Sequence, residues 1–169
     1  EDDAFNRLIA SIGLSELEAN GLRAMYRYLR QAGSSYGIPT AVQALERAPD
    51  VTRGLLDLFA ARHDPGFAGD RAKAEKAAND AIRDGLAGVG AINDDRLLRH
   101  YRALITAILR TNAYQPDLAA RGAALAFKID SALVPGLPAP LPWREVFVYS
   151  RRVEGIHLRA GPIARGGLR

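Results

Sequence analysis

Residues 93–130 read NDDRLLRHYRALITAILRTNAYQPDLAARGAALAFKID. Two different periods meet in this stretch. In its first half Leu97, Leu98, Tyr101, Leu104, Ile105, Ile108 and Leu109 share one wide face at helical spacing, which predicts an amphipathic helix. Asn93, Asp94 and Asp95 bring negative charge to its start, opposite the positive end of the helix dipole. After Gln115-Pro116-Asp117 the helical period stops, and Ala124-Leu-Ala-Phe-Lys-Ile-Asp130 reads as a strand. The chain is therefore expected to be mainly α, with a helical, bundle-like body over residues 1–118. A small C-terminal β portion over 119–169 follows, giving a truncated α+β arrangement.

Upstream of that junction the pattern is helix after helix. Phe5, Leu8, Ile9 and Ile12 recur at helical spacing and Gly13 ends the segment. Ser15 stands three residues before Glu18, a capping box in which each side chain satisfies the other residue's free N–H. Leu22, Met25, Tyr26 and Leu29 form the stripe behind it, and the run from Gly33 to Gly37 breaks the helix. Pro39-Thr40 starts a short helix through Val42 and Leu45, and Asp50 is placed to cap the next one, which carries Leu55, Leu56, Leu58 and Phe59. Residues 70–86, rich in Ala, Lys, Asp and Glu, suit a solvent-exposed helix ended by Gly85, Gly88 and Gly90.

Downstream, a proline-rich crossing from Pro135 to Pro142 leads to Glu145-Val-Phe-Val-Tyr149, which favours a strand. Gly155 to Arg159 alternates, with Ile156 and Leu158 on one side and His157 and Arg159 on the other. Residues 150–154 are the expected hairpin between these runs.

The composition excludes several classes. The chain has 169 residues, 48% of them hydrophobic, and a net charge of +4. That hydrophobic content suits a globular protein with a core and not a disordered tail. Its apolar runs fall short of the ~20 residues of a spanning helix, so no membrane partner is expected. With no cysteine there is neither a disulfide scaffold nor a Cys-ligated zinc site, which fits a cytoplasmic setting. The positive charge is spread along the chain, whereas nucleic-acid binders cluster it, so a nucleic-acid partner is not expected either.

Most individual motifs have ordinary structural roles. Gly85-Leu-Ala-Gly-Val-Gly90 has the wrong spacing for a dinucleotide fingerprint and follows a helix where a strand is required. Arg23, Arg27 and Arg30 line one helix face; a solvated face is the ordinary reading, with an acidic partner or nucleic acid as the alternative. His63, His100 and His157 share no metal-ligand spacing. No Ser/His/Asp grouping stands out, and helix capping accounts for Asp94 and Asp95 as well as paired carboxylates would. The segment Arg159-Ala-Gly-Pro-Ile-Ala-Arg-Gly-Gly-Leu-Arg169 is different in kind. Its glycines permit close approach of backbone N–H groups to an anion, and arginine can grip a carboxylate through two hydrogen bonds. On spacing alone, a glycine turn between solvated arginines fits better than a carboxylate site.

Taken together, Ala126-Phe-Lys-Ile-Asp130, Val134-Pro-Gly-Leu-Pro-Ala-Pro140, Trp143-Arg-Glu-Val-Phe-Val-Tyr-Ser150 and the run from Arg152 to Arg169 resemble the opening of the catalytic region of large bacterial NAD-dependent glutamate dehydrogenases. Ala24-Met-Tyr-Arg-Tyr-Leu-Arg-Gln-Ala32 and Leu58-Phe-Ala-Ala-Arg-His-Asp-Pro65 resemble the helical segment before it. In the smaller hexameric glutamate dehydrogenases a similar stretch reads Gly-Pro-aromatic-Lys-Gly-Gly-Leu-Arg, and its lysine contacts the side-chain carboxylate of glutamate. The resemblance assigns that role to Arg165, with Gly166 and Gly167 shaping the backbone around it. Here arginine replaces lysine and one extra residue follows Gly-Pro.

The implied parent reaction is oxidative deamination of L-glutamate to 2-oxoglutarate and ammonia with NAD as hydride acceptor. On that resemblance the catalytic lysine, its acidic partner and the NAD domain lie beyond Arg169. This chain is thus expected to hold no catalytic residue, no metal and no NAD site, and to be inactive by itself. Other segments of the same enzyme are the expected partners, in a full-length homo-oligomer. The alternative is a helical module for protein–protein interaction.

Overall fold

The described residues form six α-helices and a four-stranded antiparallel sheet, as the mainly-α reading requires. The computed structural model describes residues 3–116, 118 and 124–162. Asp3 accepts from Phe5 N–H (3.0 Å) and opens a 3-10 turn, Ala4–Asn6, that runs into α1, Arg7–Ile12. Gly13, at φ +70°, closes α1, and Leu14 N–H reaches back to the Leu8 carbonyl (3.3 Å). Such a left-handed closing residue is where glycine is favoured.

The capping box forms as expected at the start of α2, Glu16–Gln31. Ser15 N–H donates to the Glu18 carboxylate (2.7 Å), and Glu18 N–H donates to the Ser15 hydroxyl (3.2 Å). Both α3, Ile38–Arg47, and α4, Pro49–His63, carry proline in the first turn, where a missing N–H forfeits no helical bond. Asp50 lies inside that first turn of α4, and the N-cap is Ala48, with no side-chain cap.

The closest helix packing is between α4 and α5, Arg71–Leu86. A Cβ at Gly54 would lie 2.9 Å from Ile82 Cγ1, and one at Gly85 only 2.6 Å from Val51 Cγ2. Gly85 therefore sits inside α5 as a contact point and does not end it; Gly88 and Gly90 follow the helix. The outer face of α5 is solvent-exposed, and only Ala78, Ile82 and Leu86 are buried. Arg71 donates to the carbonyls of Ala61 (2.7 Å) and Asp64 (2.6 Å), so the first residue of α5 satisfies the last turn of α4.

The core of the helical body forms around α6, Ile92–Ala107, whose Leu97, Leu98, Tyr101, Leu104 and Ile105 are fully buried. The helix stops before Ile108 and Leu109, which the periodicity had placed within it. Ile108 instead opens β1, Ile108–Thr111, opposite Ile129, and Asp130 N–H donates to the Ala107 carbonyl (2.9 Å). Strand pairing thus supplies a partner for a helix-terminal carbonyl that another helical turn would have left to local bonds. A register shift between Ile108 and Arg110 accommodates Leu109.

The sheet order is β1, β2 (Leu125–Ile129), β3 (Arg144–Tyr149), β4 (Glu154–Arg159). The hairpin expected over 150–154 is present, closed by Ser150 N–H to the Val153 carbonyl (2.7 Å). Leu125, Phe127, Ile129, Phe147 and Tyr149 turn toward the helices and join one hydrophobic core that runs from Phe5 to Tyr149. On β4, Ile156 and Leu158 face the same way, opposite Phe147 and Glu145. The helices do not cover that strand, and Leu158 is 58% exposed.

The α4–α5 contact predicts that Gly85→Ala lowers stability although alanine is the better helix former by about 1 kcal/mol. Overpacking against Val51 should outweigh that gain, for a net loss of about 1 kcal/mol. Val51→Ala in the same chain should cost less than its effect in the parent, as read by urea denaturation of the two single variants and the double. Strict additivity would place Gly85 outside the contact.

Candidate functional site

The three residues assigned to substrate by sequence, Arg165, Gly166 and Gly167, lie outside the described residues. The structure does show how the strand leading to them is held. Trp143 N–H donates to the Arg159 carbonyl (2.7 Å) at the end of β4. The Trp143 ring carries two guanidinium groups, Arg144 at 4.5 Å and Arg159 at 5.6 Å from its centre, an arrangement in which the ring face attracts both cations. Arg144 is held further by the Asp130 carboxylate (3.0 Å) and the Trp143 carbonyl (2.6 Å), and Arg159 donates to the Pro162 carbonyl (3.2 Å). The last turn before residue 163 is therefore fastened to β3 through one indole.

Behind this end of the sheet lies a polar pair that sequence reasoning missed. Tyr28, fully buried on α2, donates its hydroxyl in a short hydrogen bond to the carboxylate of Glu145, 3% exposed on β3. Burial first, and the adjacent Glu145 second, push the Tyr28 phenol well above its ordinary pKa, so it remains a donor at every physiological pH. The signal was present in the sequence: Glu145, Phe147 and Tyr149 alternate, and alternation places a carboxyl group on the core face. From the same pair a chain of rings runs through the core. Tyr28 meets Phe147 edge-on at 5.7 Å, Phe147 stacks with Phe127 at 6.4 Å, and Phe127 meets Phe59 of α4 edge-on at 6.2 Å.

The arginine stripe of α2 runs from the interior to solvent: Arg23 is buried, Arg27 half-buried and Arg30 exposed. Arg23 is 4% exposed and bonds Asp3 (2.9 Å), Asn6 (2.7 Å) and Asn20 (3.1 Å), tying the N-terminal turn to α2. Arg27 approaches Glu154 of β4 (4.0 Å), and Arg30 donates to the carbonyls of Ser34 and Tyr36 (3.2 and 3.3 Å). Asp94 is buried beside Arg47 (3.4 Å) in the first turn of α6, while Asp95 pairs with Arg99 (2.9 Å) along the helix, so the two do not act as a carboxylate pair. His63 is lowered to about 4, by burial and then by Arg62. The described residues include no His/Cys/Asp/Glu group that could hold a metal ion, and no helix long and apolar enough to cross a membrane.

Comparison with known proteins accounts for both halves of the chain. The family described as bacterial NAD-glutamate dehydrogenase, catalytic domain, matches residues 81–169, more than half of the sequence. This chain belongs to that family. Residues 1–65 match a second description, glutamate dehydrogenase, helical motif 3. The NAD-specific glutamate dehydrogenase of Pseudomonas aeruginosa is 42% identical over 173 residues, and that of Halomonas elongata 44% over 170. The NAD-specific glutamate dehydrogenase of Mycobacterium tuberculosis is 40% identical over 175 residues. Each alignment takes in all of this chain but only 10–11% of the relative, so the chain spans about a tenth of their length. The catalytic-domain match begins inside α5, ahead of the first strand.

The Tyr28–Glu145 pair yields a test of the junction between body and sheet. Tyr28→Phe should cost about 2–4 kcal/mol, because it leaves a buried carboxyl group without its donor. Tyr28→Phe with Glu145→Met should recover most of the loss in denaturant titrations, since both polar partners are then gone. A double variant as unstable as the single would refute the pairing.

Proposed function

We propose that this chain is the part of an NAD-specific glutamate dehydrogenase that joins a helical segment to the first strands of the glutamate-binding sheet. The reaction is L-glutamate + NAD⁺ + H₂O → 2-oxoglutarate + NH₄⁺ + NADH + H⁺, with the electron pair leaving the substrate α-carbon as hydride. The observation that carries this reading is the sequence that continues from β4. Gly161-Pro162 turns the chain out of a strand fastened by Trp143, and Arg165-Gly166-Gly167 follows three residues later.

In this reading Arg165 binds the side-chain carboxylate of glutamate. Its planar guanidinium offers two parallel N–H donors where lysine offers a single point charge. Gly166 and Gly167 allow backbone N–H groups to approach the same carboxylate, because no Cβ intervenes. The body contributes stiffness: the ring chain from Tyr28 to Phe59 fixes β2 and β3, the ladder to β3 and the indole of Trp143 hold β4, and a site misplaced by about 1 Å loses much of its effect.

The described residues do not fit NAD. Their strands are all antiparallel, without the strand–turn–helix unit that presents a pyrophosphate to a helix N-terminus. Gly85, the first glycine of the run Gly85-Leu-Ala-Gly-Val-Gly90, is in contact with Val51. No step of hydride transfer is therefore assigned to this chain. It supplies substrate contacts, and the nicotinamide domain and the proton-transfer groups belong to the remainder of the enzyme.

Two measurements test this. The purified 169-residue chain should produce no NADH from glutamate and NAD, and turnover above buffer would overturn the division of labour. In the full-length enzyme, Arg165→Ala should raise KM for glutamate about 10- to 100-fold, the equivalent of losing charge-assisted hydrogen bonds of ~1.5–3 kcal/mol. An unchanged KM would remove Arg165 from the site.

A further inference from the structure

The alternation that turns Phe127, Ile129 and Phe147 into the core turns a different set of residues to the opposite face. Register aligns that set across the strands. Lys128 pairs with Arg110 of β1 on one side and with Val146 of β3 on the other, and Val146 pairs with His157 of β4. The neighbouring row sets Arg144 against Arg159, and a third sets Ala126 against Val148. The face away from the helices is thus a short apolar stripe bordered by cations.

Two of these cross-strand pairs put like charges together, which destabilises a sheet left in water. The pair Arg144–Arg159 is relieved, since both stack on Trp143 and Arg144 holds Asp130. Asp130 is the one carboxylate that alternation places on this face. The pair Arg110–Lys128 has no such relief. Neither side chain has a hydrogen-bond or ion-pair partner among the described residues.

We infer that this face receives an acidic amphipathic helix from another segment of the dehydrogenase polypeptide. Its apolar stripe lies on Ala126, Val146 and Val148, and its carboxylates meet Arg110 and Lys128. The inference rests on the proposed function in one respect, that the chain works inside a larger enzyme. An antiparallel sheet can leave its second face in water, but the unrelieved Arg110–Lys128 pair disfavours that here, and most of the relatives' length lies outside this chain. The apolar centre suits a helix and not a nucleic-acid backbone, whose recognition needs cations across the whole surface. Outside the described residues this chain has three acids, Glu1, Asp2 and Asp117, too few and too scattered in sequence to line a helix face, so the acidic helix comes from elsewhere.

The chain has three lysines, Lys73, Lys76 and Lys128, which makes the face readable in the intact enzyme. Zero-length carbodiimide coupling followed by mass spectrometry should join Lys128 to an Asp or Glu outside this chain. Lys76, already 2.6 Å from Asp80, serves as the internal control. Acylation of Lys128 should be at least about ten-fold slower than that of exposed Lys73, as for a group shielded except during local opening. The inference is overturned if the Lys76–Asp80 product forms while Lys128 couples to nothing beyond Asp130, or if Lys128 acylates as fast as Lys73. Nuclease treatment that restores labelling would overturn it in favour of nucleic acid. Neither readout needs turnover, so an enzyme that gives the Lys128 product yet lacks glutamate activity would fail the functional reading alone.

Discussion

One hydrogen bond lets the sheet close on the helices. The inward face of β3 carries Glu145 beside Phe147 and Tyr149, and a carboxyl group on a core face costs several kcal/mol unless a donor meets it. Tyr28 is that donor, delivered by the buried side of α2. Its ring fills the space next to Phe147 while its hydroxyl answers Glu145, so one side chain supplies both the packing and the polar satisfaction of the junction. With that contact in place, the ring chain can continue through Phe147 and Phe127 to Phe59, and α2, β3, β2 and α4 become one body.

That rigidity has a direction. The helices cover β1 to β3 and leave β4 at the edge, touched mainly where Gln31 and Arg27 of α2 reach Glu154. The strand that leads toward Arg165 is thus held by hydrogen bonds to β3 and by Trp143, not by the core. The segment that continues from β4 therefore has a fixed starting point. The opposite face of the sheet carries the unrelieved Arg110–Lys128 pair, which marks it as a surface meant to be covered.

Much of this was readable beforehand from local chemistry. The Ser15–Glu18 capping box, the closing Gly13 and the hairpin at Ser150 follow from short-range rules and formed as expected, and the strands read at 124–130 and 145–149 formed at 125–129 and 144–149. Where those rules misled, a distant residue intervened. Ile108 and Leu109 continue the helical period of α6, yet Ile129 and Asp130 draw them into a sheet. Gly85 has the position of a helix terminator, yet Val51 makes it a contact. Arg23 has the spacing of a surface stripe, yet Asp3 and Asn6 bury it. The proposed substrate role of Arg165, Gly166 and Gly167 rests on family likeness, since on spacing alone Arg-Gly-Gly reads better as a solvated turn.

The amino-acid order alone settled most of the element types, the Ser15–Glu18 cap, the hairpin turn and the family, because these depend on neighbours a few residues apart or on a pattern of letters. Tertiary structure decided where α6 ends, which glycine is a spacer, which arginine is buried and which carboxyl group lies in the core. Those outcomes depend on partners up to 117 residues away. A side chain's burial is set by what packs on it, and no local period encodes that.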